Sequence, residues 1–219
     1  MTDRTRNVGM GTLAVWSGEK GPFWERSTQV PVVSSVSFGY SDMEHWMAVG
    51  KGRASGHIYS RNTNPTVQIF EDKVRLLEGA DAAVSFASGM AAISNLLFCL
   101  LSPGDRMVSI KDSYGGTNRL FTEFMPRFNI DVALCATTDH DKIEKAVTEG
   151  CGLLYLESPT NPTLKVVDVE RLARVAHNHG AVVVVDNTFA TPINQQPLNL
   201  GADLVPVSYT HLTLPTTGH

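Results

Sequence analysis

The run Ala181-Val182-Val183-Val184-Val185, followed at once by Asp186 and Asn187-Thr188-Phe189, constrains the fold more tightly than any other stretch of the chain. Residues this apolar and β-branched read as a strand buried on both faces of a parallel sheet. Ligands in such sheets sit beyond the carboxyl ends of the strands, so Asp186 is a candidate to hold a cationic ligand atom. An ordinary helix-capping Asp in an αβ turn is the competing reading, and the stretch alone leaves both open.

The rest of the pattern agrees with a parallel sheet. Helices are predicted near Val67–Leu77, Met90–Leu101, Asn118–Phe128, Asp141–Thr148 and Val169–His179, and strands near Ala83–Phe86, Met107–Lys111, Ile130–Leu134, Leu153–Glu157 and Ala181–Asp186. Strands alternating with helices of this length mean crossover connections, hence an α/β architecture with a mainly parallel sheet flanked by helices. Residues 1–60 lack that periodicity and read as an extended N-terminal arm with one short helix near Met43–Val49, an arm of the kind that packs on a partner.

With 219 residues, 42% hydrophobic and 18% charged, the chain is long enough for one sizeable core. A net charge of -4 gives no basic stripe, which argues against nucleic acid or an anionic membrane as partner. Cys99, Cys135 and Cys151 lie far apart in apolar segments and read as buried free thiols of a reducing compartment, not as a disulfide or zinc framework. No signal-like or membrane-length apolar run occurs, so a cytoplasmic protein is expected.

Four further stretches fall at the ends of the expected elements. Ser88-Gly89-Met90 opens a helix, where free N–H groups and the helix dipole can hold a phosphate; a simple cap is the alternative. Tyr114-Gly115-Gly116-Thr117 follows a strand, and its glycines would let the aromatic ring lie flat over a planar ligand, with a core tyrosine in a tight turn as the alternative. Glu157-Ser158-Pro159-Thr160-Asn161-Pro162 ends another strand and offers the Asn161 amide, unless it is only a turn. Tyr59 to Thr66 lies on the arm, where Tyr59 and Arg61 could together grip a phosphate or merely face solvent.

Taken together, these stretches resemble the pyridoxal-phosphate enzymes of cysteine and methionine metabolism, the cystathionine γ-synthase and γ-lyase family. The likeness covers about Thr12 to Val205 and rests on Tyr59 to Thr66, Ser88 to Met90, Tyr114 to Thr117, Glu157 to Pro162, Asp186 to Pro192 and Gly201-Ala202-Asp203, in that order. It implies the large domain of a fold-type I pyridoxal-phosphate-dependent transferase over residues 61–205, incomplete, with the arm before it. It further implies that Ser88, Gly89 and Met90 bind the cofactor phosphate, Tyr114 stacks on the pyridine ring, Asp186 pairs with the ring nitrogen and Asn161 sits near the ring hydroxyl. Tyr59 and Arg61 would reach the phosphate of a neighbouring subunit, so a homodimer or homotetramer is expected.

The family also requires a lysine that binds the cofactor covalently and shuttles protons, in a His-Ser-x-Thr-Lys stretch shortly after Gly-Ala-Asp. Here the residues read Val207-Ser208-Tyr209-Thr210-His211, and no lysine follows Lys165. Ser208 and Thr210 match and could touch the phosphate, while His211 occupies the lysine position. Residues 206–219 read as an aberrant, artefactual tail, similar to the conceptual translation of ligated adapter DNA; a diverged C-terminus is the alternative. The resemblance implies γ-replacement or γ-elimination on a sulfur amino acid or homoserine ester by the intact parent, with this chain inactive. Gly116 favours the cystathionine-type enzymes; O-acylhomoserine sulfhydrylase, methionine γ-lyase and a non-catalytic paralogue are the alternatives. A P-loop-like nucleotide binder around Ser88-Gly89 would need a glycine-rich run with Lys-Ser or Lys-Thr, which the sequence lacks.

Overall fold

The computed structural model describes residues 9–16 and 29–209. By its contacts the chain divides into two compact units, Met1–Ser85 and Phe86–His219.

The first unit holds helices α1 (Met10–Trp16), α2 (Met43–Gly50) and α3 (Pro65–Glu78). Asn64 starts α3: its side-chain oxygen accepts from the N–H groups of Thr66 and Val67, with Pro65 in the first turn, where its missing N–H costs nothing. The same Asn64 amide donates to the Val33 carbonyl at 2.9 Å, and Val33 N–H donates to the Thr66 hydroxyl at 2.9 Å. These bonds tie the extended segment before α2 to the start of α3, so capping chemistry accounts for the Asn64-Pro65-Thr66 end of the arm motif.

The second unit is built on a four-stranded, wholly parallel sheet in the order β2-β1-β3-β4. Its strands are β1 (Arg106–Ile110), β2 (Asp131–Cys135), β3 (Leu153–Glu157) and β4 (Val182–Asp186). Alternation along them fills two cores, one on each face. Val108, Ile110, Leu154, Leu156, Val183 and Val185 pack with Ile143 and Val147 of α6 (His140–Thr148) and Leu172, Ala173 and Ala176 of α7 (Val169–Asn178). Met107, Leu153, Tyr155 and Val184 pack with Ile93 and Leu97 of α4 (Gly89–Leu100), and with Phe121 and Met125. Every residue of β3 is buried, as expected of a strand covered on both sides.

The strand order fixes where a ligand can enter. From β1 the chain crosses to β2 on one side, then returns to β3 on the other and moves outward to β4. The direction of winding therefore reverses between β1 and β3, and the crevice beyond their carboxyl ends is the topological switch point. Beyond β4 the chain continues alongside its edge: Leu204 forms a parallel bridge with Val184, and Asn187 N–H donates to the Pro206 carbonyl at 3.3 Å.

Three expectations need correction. Ala83–Phe86 is not a strand: Val84 and Phe86 are 73% and 44% exposed, and the Ser85 N–H donates to the Glu71 carboxylate at 2.7 Å instead of to a ladder. The helix expected from Asn118 begins at Gly115, as α5 (Gly115–Arg119), then widens to a π-turn over Leu120–Phe124 and tightens to a 3₁₀ turn over Met125–Phe128. All three cysteines are free, but only Cys135 is buried and Cys99 is exposed. Among the described residues no helix is long and apolar enough to cross a membrane.

Candidate active site

Glu157 and Asp186 end β3 and β4 as register partners, so two carboxyl groups leave neighbouring strands side by side. They are 4% and 6% exposed, and no cation pairs with either among the described residues. Two carboxylates taken out of water together are costly unless a proton or a cation joins them. Burial accordingly pushes Asp186 above the usual carboxylate range, against hydrogen bonds from Thr188 and Tyr155. Burial lifts Glu157 to about 7; the Asp186 charge adds to the rise, while the backbone N–H groups of Tyr114 and Asn161 oppose it.

Each oxygen of this pair has an assigned partner. Asp186 Oδ1 accepts from Thr188 N–H at 3.0 Å, and Oδ2 accepts from the Tyr155 hydroxyl at 3.3 Å. Burial and the two neighbouring carboxyls hold the Tyr155 phenol well above its ordinary range, so it remains a neutral donor. Glu157 Oε2 accepts from Tyr114 N–H at 2.7 Å and Oε1 from Asn161 N–H at 2.8 Å. The first of these bonds spans the switch point, joining the loop after β1 to the end of β3.

The start of α4 offers an anion site. Ser88 caps the helix, its hydroxyl accepting from Ala91 N–H at 3.1 Å, which leaves the N–H groups of Gly89 and Met90 at the open, electropositive end. Gly89 has no room for a side chain. A Cβ there would lie 2.3 Å from Ser208 Cβ and 3.2 Å from Ser208 Cα, so glycine is what lets the segment after β4 close over the helix start. Ser208 is fixed in turn by its own N–H donating to the Thr188 hydroxyl at 2.9 Å. Thr188 thus connects the Asp186 carboxylate to the segment that meets α4.

Tyr114, immediately before α5, is 47% exposed, so it is a presented ring and not a core tyrosine. Gly116 lies beneath it: a Cβ there would be 2.9 Å from both the Tyr114 ring and the Met90 sulfur. Ser88, Gly89, Met90, Tyr114, Asn161, Asp186 and Ser208 therefore all belong to the second unit, at or beside the carboxyl ends of its strands. Tyr59 and Arg61 lie in the first unit, both exposed, with the Arg61 guanidinium carbon 5.0 Å from the Tyr59 ring centroid. Thr210 and His211 lie outside the described residues.

Tyr155 is not among the sequence candidates, and Glu157 and Thr188 lie in the quoted stretches without a role of their own. Glu157 closes an apolar strand as Asp186 does, so the reasoning applied to Asp186 would have found it. Tyr155 carries no local signal, because one buried position among five in β3 looks like any other core residue.

A parallel sheet with a buried carboxylate at one strand end, and an open helix start that meets the segment following the same strand, can take a ligand with a cationic and an anionic group. The solved structure of a putative O-acetylhomoserine (thiol)-lyase from Campylobacter jejuni, which carries an N'-pyridoxyl-lysine-5'-monophosphate, superposes with a TM-score of 0.86 at 30% identity, over 92% of this chain and 50% of that one. An L-methionine gamma-lyase from Fusobacterium nucleatum subsp. polymorphum is 39% identical over 94% of this chain and 52% of its own length. An O-succinylhomoserine sulfhydrylase from Pseudomonas aeruginosa is 45% identical over 89% and 48%, and a cystathionine gamma-lyase from Dictyostelium discoideum 43% over 93% and 51%. The chain spans about half the length of the curated relatives it matches. Residues 11–213 match the model of one family, and the chain belongs to it: the Cys/Met metabolism PLP-dependent enzymes.

The side chains suit that family's cofactor on two counts. A buried carboxyl pair with no cation of its own can take a protonated ring nitrogen, and the close approach that Gly89 permits leaves backbone donors and the Ser208 hydroxyl beside one another for a phosphate.

Proposed function

We propose that this chain holds pyridoxal 5'-phosphate with its ring nitrogen on Asp186, its phosphate at Ser88, Gly89, Met90 and Ser208, its ring face under Tyr114 and its ring hydroxyl near Asn161. Thr210 would join the phosphate contacts. The observation that carries the reading is the uncompensated carboxyl pair at the ends of β3 and β4. When bound, the cofactor supplies an electron sink for bonds made and broken at the carbons of an amino-acid substrate. Asp186 keeps the ring nitrogen protonated, because a carboxylate in a buried site favours a cation beside it. Tyr155 and Thr188 hold that carboxylate in place, and Tyr114 keeps water from one face of the ring.

For the whole protein the reading is γ-replacement or γ-elimination on a sulfur amino acid or homoserine ester, of the cystathionine γ-synthase or γ-lyase type. The names of the relatives divide among lyases and a sulfhydrylase, so O-acylhomoserine sulfhydrylase and methionine γ-lyase stay as second readings. Gly116 supports the cystathionine type by resemblance, since methionine γ-lyases usually carry a reactive cysteine at that position. With His211 at the lysine position and no lysine after Lys165, this sequence is expected to bind the cofactor without turnover, as a non-catalytic paralogue would. Tyr59 and Arg61, exposed in the first unit, are proposed to serve a neighbouring subunit's phosphate in a homodimer or homotetramer.

Absorbance titration with pyridoxal phosphate tests the reading. Saturable binding of one cofactor per chain, weakened by Asp186→Asn, is expected; no saturable binding would refute it.

A further inference from the structure

The cofactor reading places the ring nitrogen on Asp186 and gives the second carboxyl of the buried pair, Glu157, no contact of its own. Glu157 sits where the sheet reverses its winding, and both of its oxygens are spent on backbone: Oε2 on Tyr114 N–H at 2.7 Å and Oε1 on Asn161 N–H at 2.8 Å. Those amides belong to different loops, one leaving β1 and the other leaving β3, and each loop carries a side chain proposed to face the cofactor ring. The Lys165–Asp112 pair at 2.9 Å also joins these two loops, and Glu157 is the side chain that takes the Tyr114 and Asn161 amides themselves onto one carboxylate. Glycine or an aliphatic residue here would leave two part-buried N–H groups without this acceptor.

We propose that Glu157 is a positioning residue, a clamp whose ionised carboxylate fixes the loops of Tyr114 and Asn161 on either side of the ring site, and whose protonation loosens one of them. The inference rests on the cofactor site proposed above. A carboxylate accepts at both oxygens, whereas a carboxylic acid has turned one of them into a hydroxyl donor, so a neutral Glu157 can satisfy only one of the two amides well. The groups facing it are Asp186 across the sheet, Tyr155 on its own strand, and the amides of Tyr114 and Asn161; none is cationic. With its carboxyl lifted to about 7, the clamp changes state close to neutral pH. A cation held at Asp186 would draw Glu157 back to its ionised form and close both loops together.

Hydrogen exchange on the full chain without cofactor tests this apart from the cofactor reading itself. Protection factors, corrected for intrinsic exchange, are followed at the amides of Tyr114 and Asn161 from pH 5.5 to 8.5. One of the two is expected to lose roughly tenfold or more of its protection as pH falls through 7, the loss of a hydrogen bond to a charged group. Glu157→Gln, which offers one oxygen and one N–H₂, should show that loss at every pH, and Glu157→Asp, too short to span both amides, should lose protection while keeping a pH dependence. Pyridoxal phosphate should bind Glu157→Gln at least several-fold more weakly than the unaltered chain. Protection that ignores both pH and substitution overturns the clamp, and so does a protection change that leaves cofactor affinity untouched. If Glu157→Gln does not fold, the pH series on the unaltered chain still decides the matter. Failure of the unaltered chain to bind cofactor would instead strike the functional reading.

Discussion

Asp186→Asn should move stability and cofactor affinity in opposite directions. The side chain is 6% exposed and faces Glu157 without a cation, so in the cofactor-free chain its charge is a burden. An amide of the same shape keeps the local bonds. Its oxygen can accept from Thr188 N–H as Oδ1 does now, and its N–H₂ can donate to the Tyr155 hydroxyl, which turns its own proton toward Thr117 beside it. Removing the buried charge should raise the unfolding free energy of the apo chain by about 1–3 kcal/mol, the desolvation cost of such a group. Binding should suffer. Breaking a buried ion pair by removing one partner costs about 3–5 kcal/mol, and the ring nitrogen can escape part of that by losing its proton. A net loss of about 3 kcal/mol corresponds to an affinity lower by on the order of 100-fold. Urea unfolding of the apo chain and absorbance titration with pyridoxal phosphate measure the two effects. A destabilised apo variant, or one that binds the cofactor as tightly as before, would refute the reasoning.

Gly89→Ala places a Cβ 2.3 Å from Ser208 Cβ and should cost about 1–3 kcal/mol of stability by overpacking; it should weaken pyridoxal phosphate more than pyridoxal, measured by parallel titrations. Gly116→Ala crowds the Tyr114 ring and Met90 sulfur at 2.9 Å, so the near-ultraviolet circular dichroism of Tyr114 in the cofactor complex should change while the melting temperature moves little. Stability should also fall as pH rises through 7. Glu157 is protonated more readily folded than unfolded, so its contribution is complete below about 4.5 and is lost above about 7. A rise from 4.5 to about 7 corresponds to roughly 3 kcal/mol, read as a falling urea midpoint between pH 5 and 8 that Glu157→Gln should flatten.

How much the sequence revealed follows from which forces act locally. Leu153–Glu157 was legible to the residue, and the valine run lost only Ala181, because strands buried on both faces must be apolar throughout. Helices α6 and α7 were found to within a residue or so, since one apolar stripe and an Asp cap define each. Ala83–Phe86 misled because β-branched and aromatic residues raise strand propensity wherever they occur, whereas a strand also needs a neighbour, and the Ser85 donor is taken by Glu71. The π-turn at Leu120–Phe124 has no sequence mark; it adjusts the helix so that Phe121 meets Tyr155 at 5.2 Å between ring centroids. In the candidate site, Asp186 and Ser88 were readable as residues at element ends. The Glu157 clamp was not, because it pairs residues 43 apart whose meeting depends on the β1–β3 neighbourhood.

Lys165, the last lysine of the chain, is held by the Asp112 carboxylate at 2.9 Å, and Asp112 lies below the usual carboxylate range through its bonds with Thr137 and Lys165. It is engaged elsewhere. The most direct measurement is therefore equilibrium dialysis of the chain against low concentrations of pyridoxal phosphate, followed by borohydride reduction and peptide mass mapping. One cofactor per chain is expected, removable by further dialysis, with no lysine specifically modified. Absence of saturable binding, or a stoichiometric adduct on Lys165 or Lys111 accompanied by turnover, would contradict it.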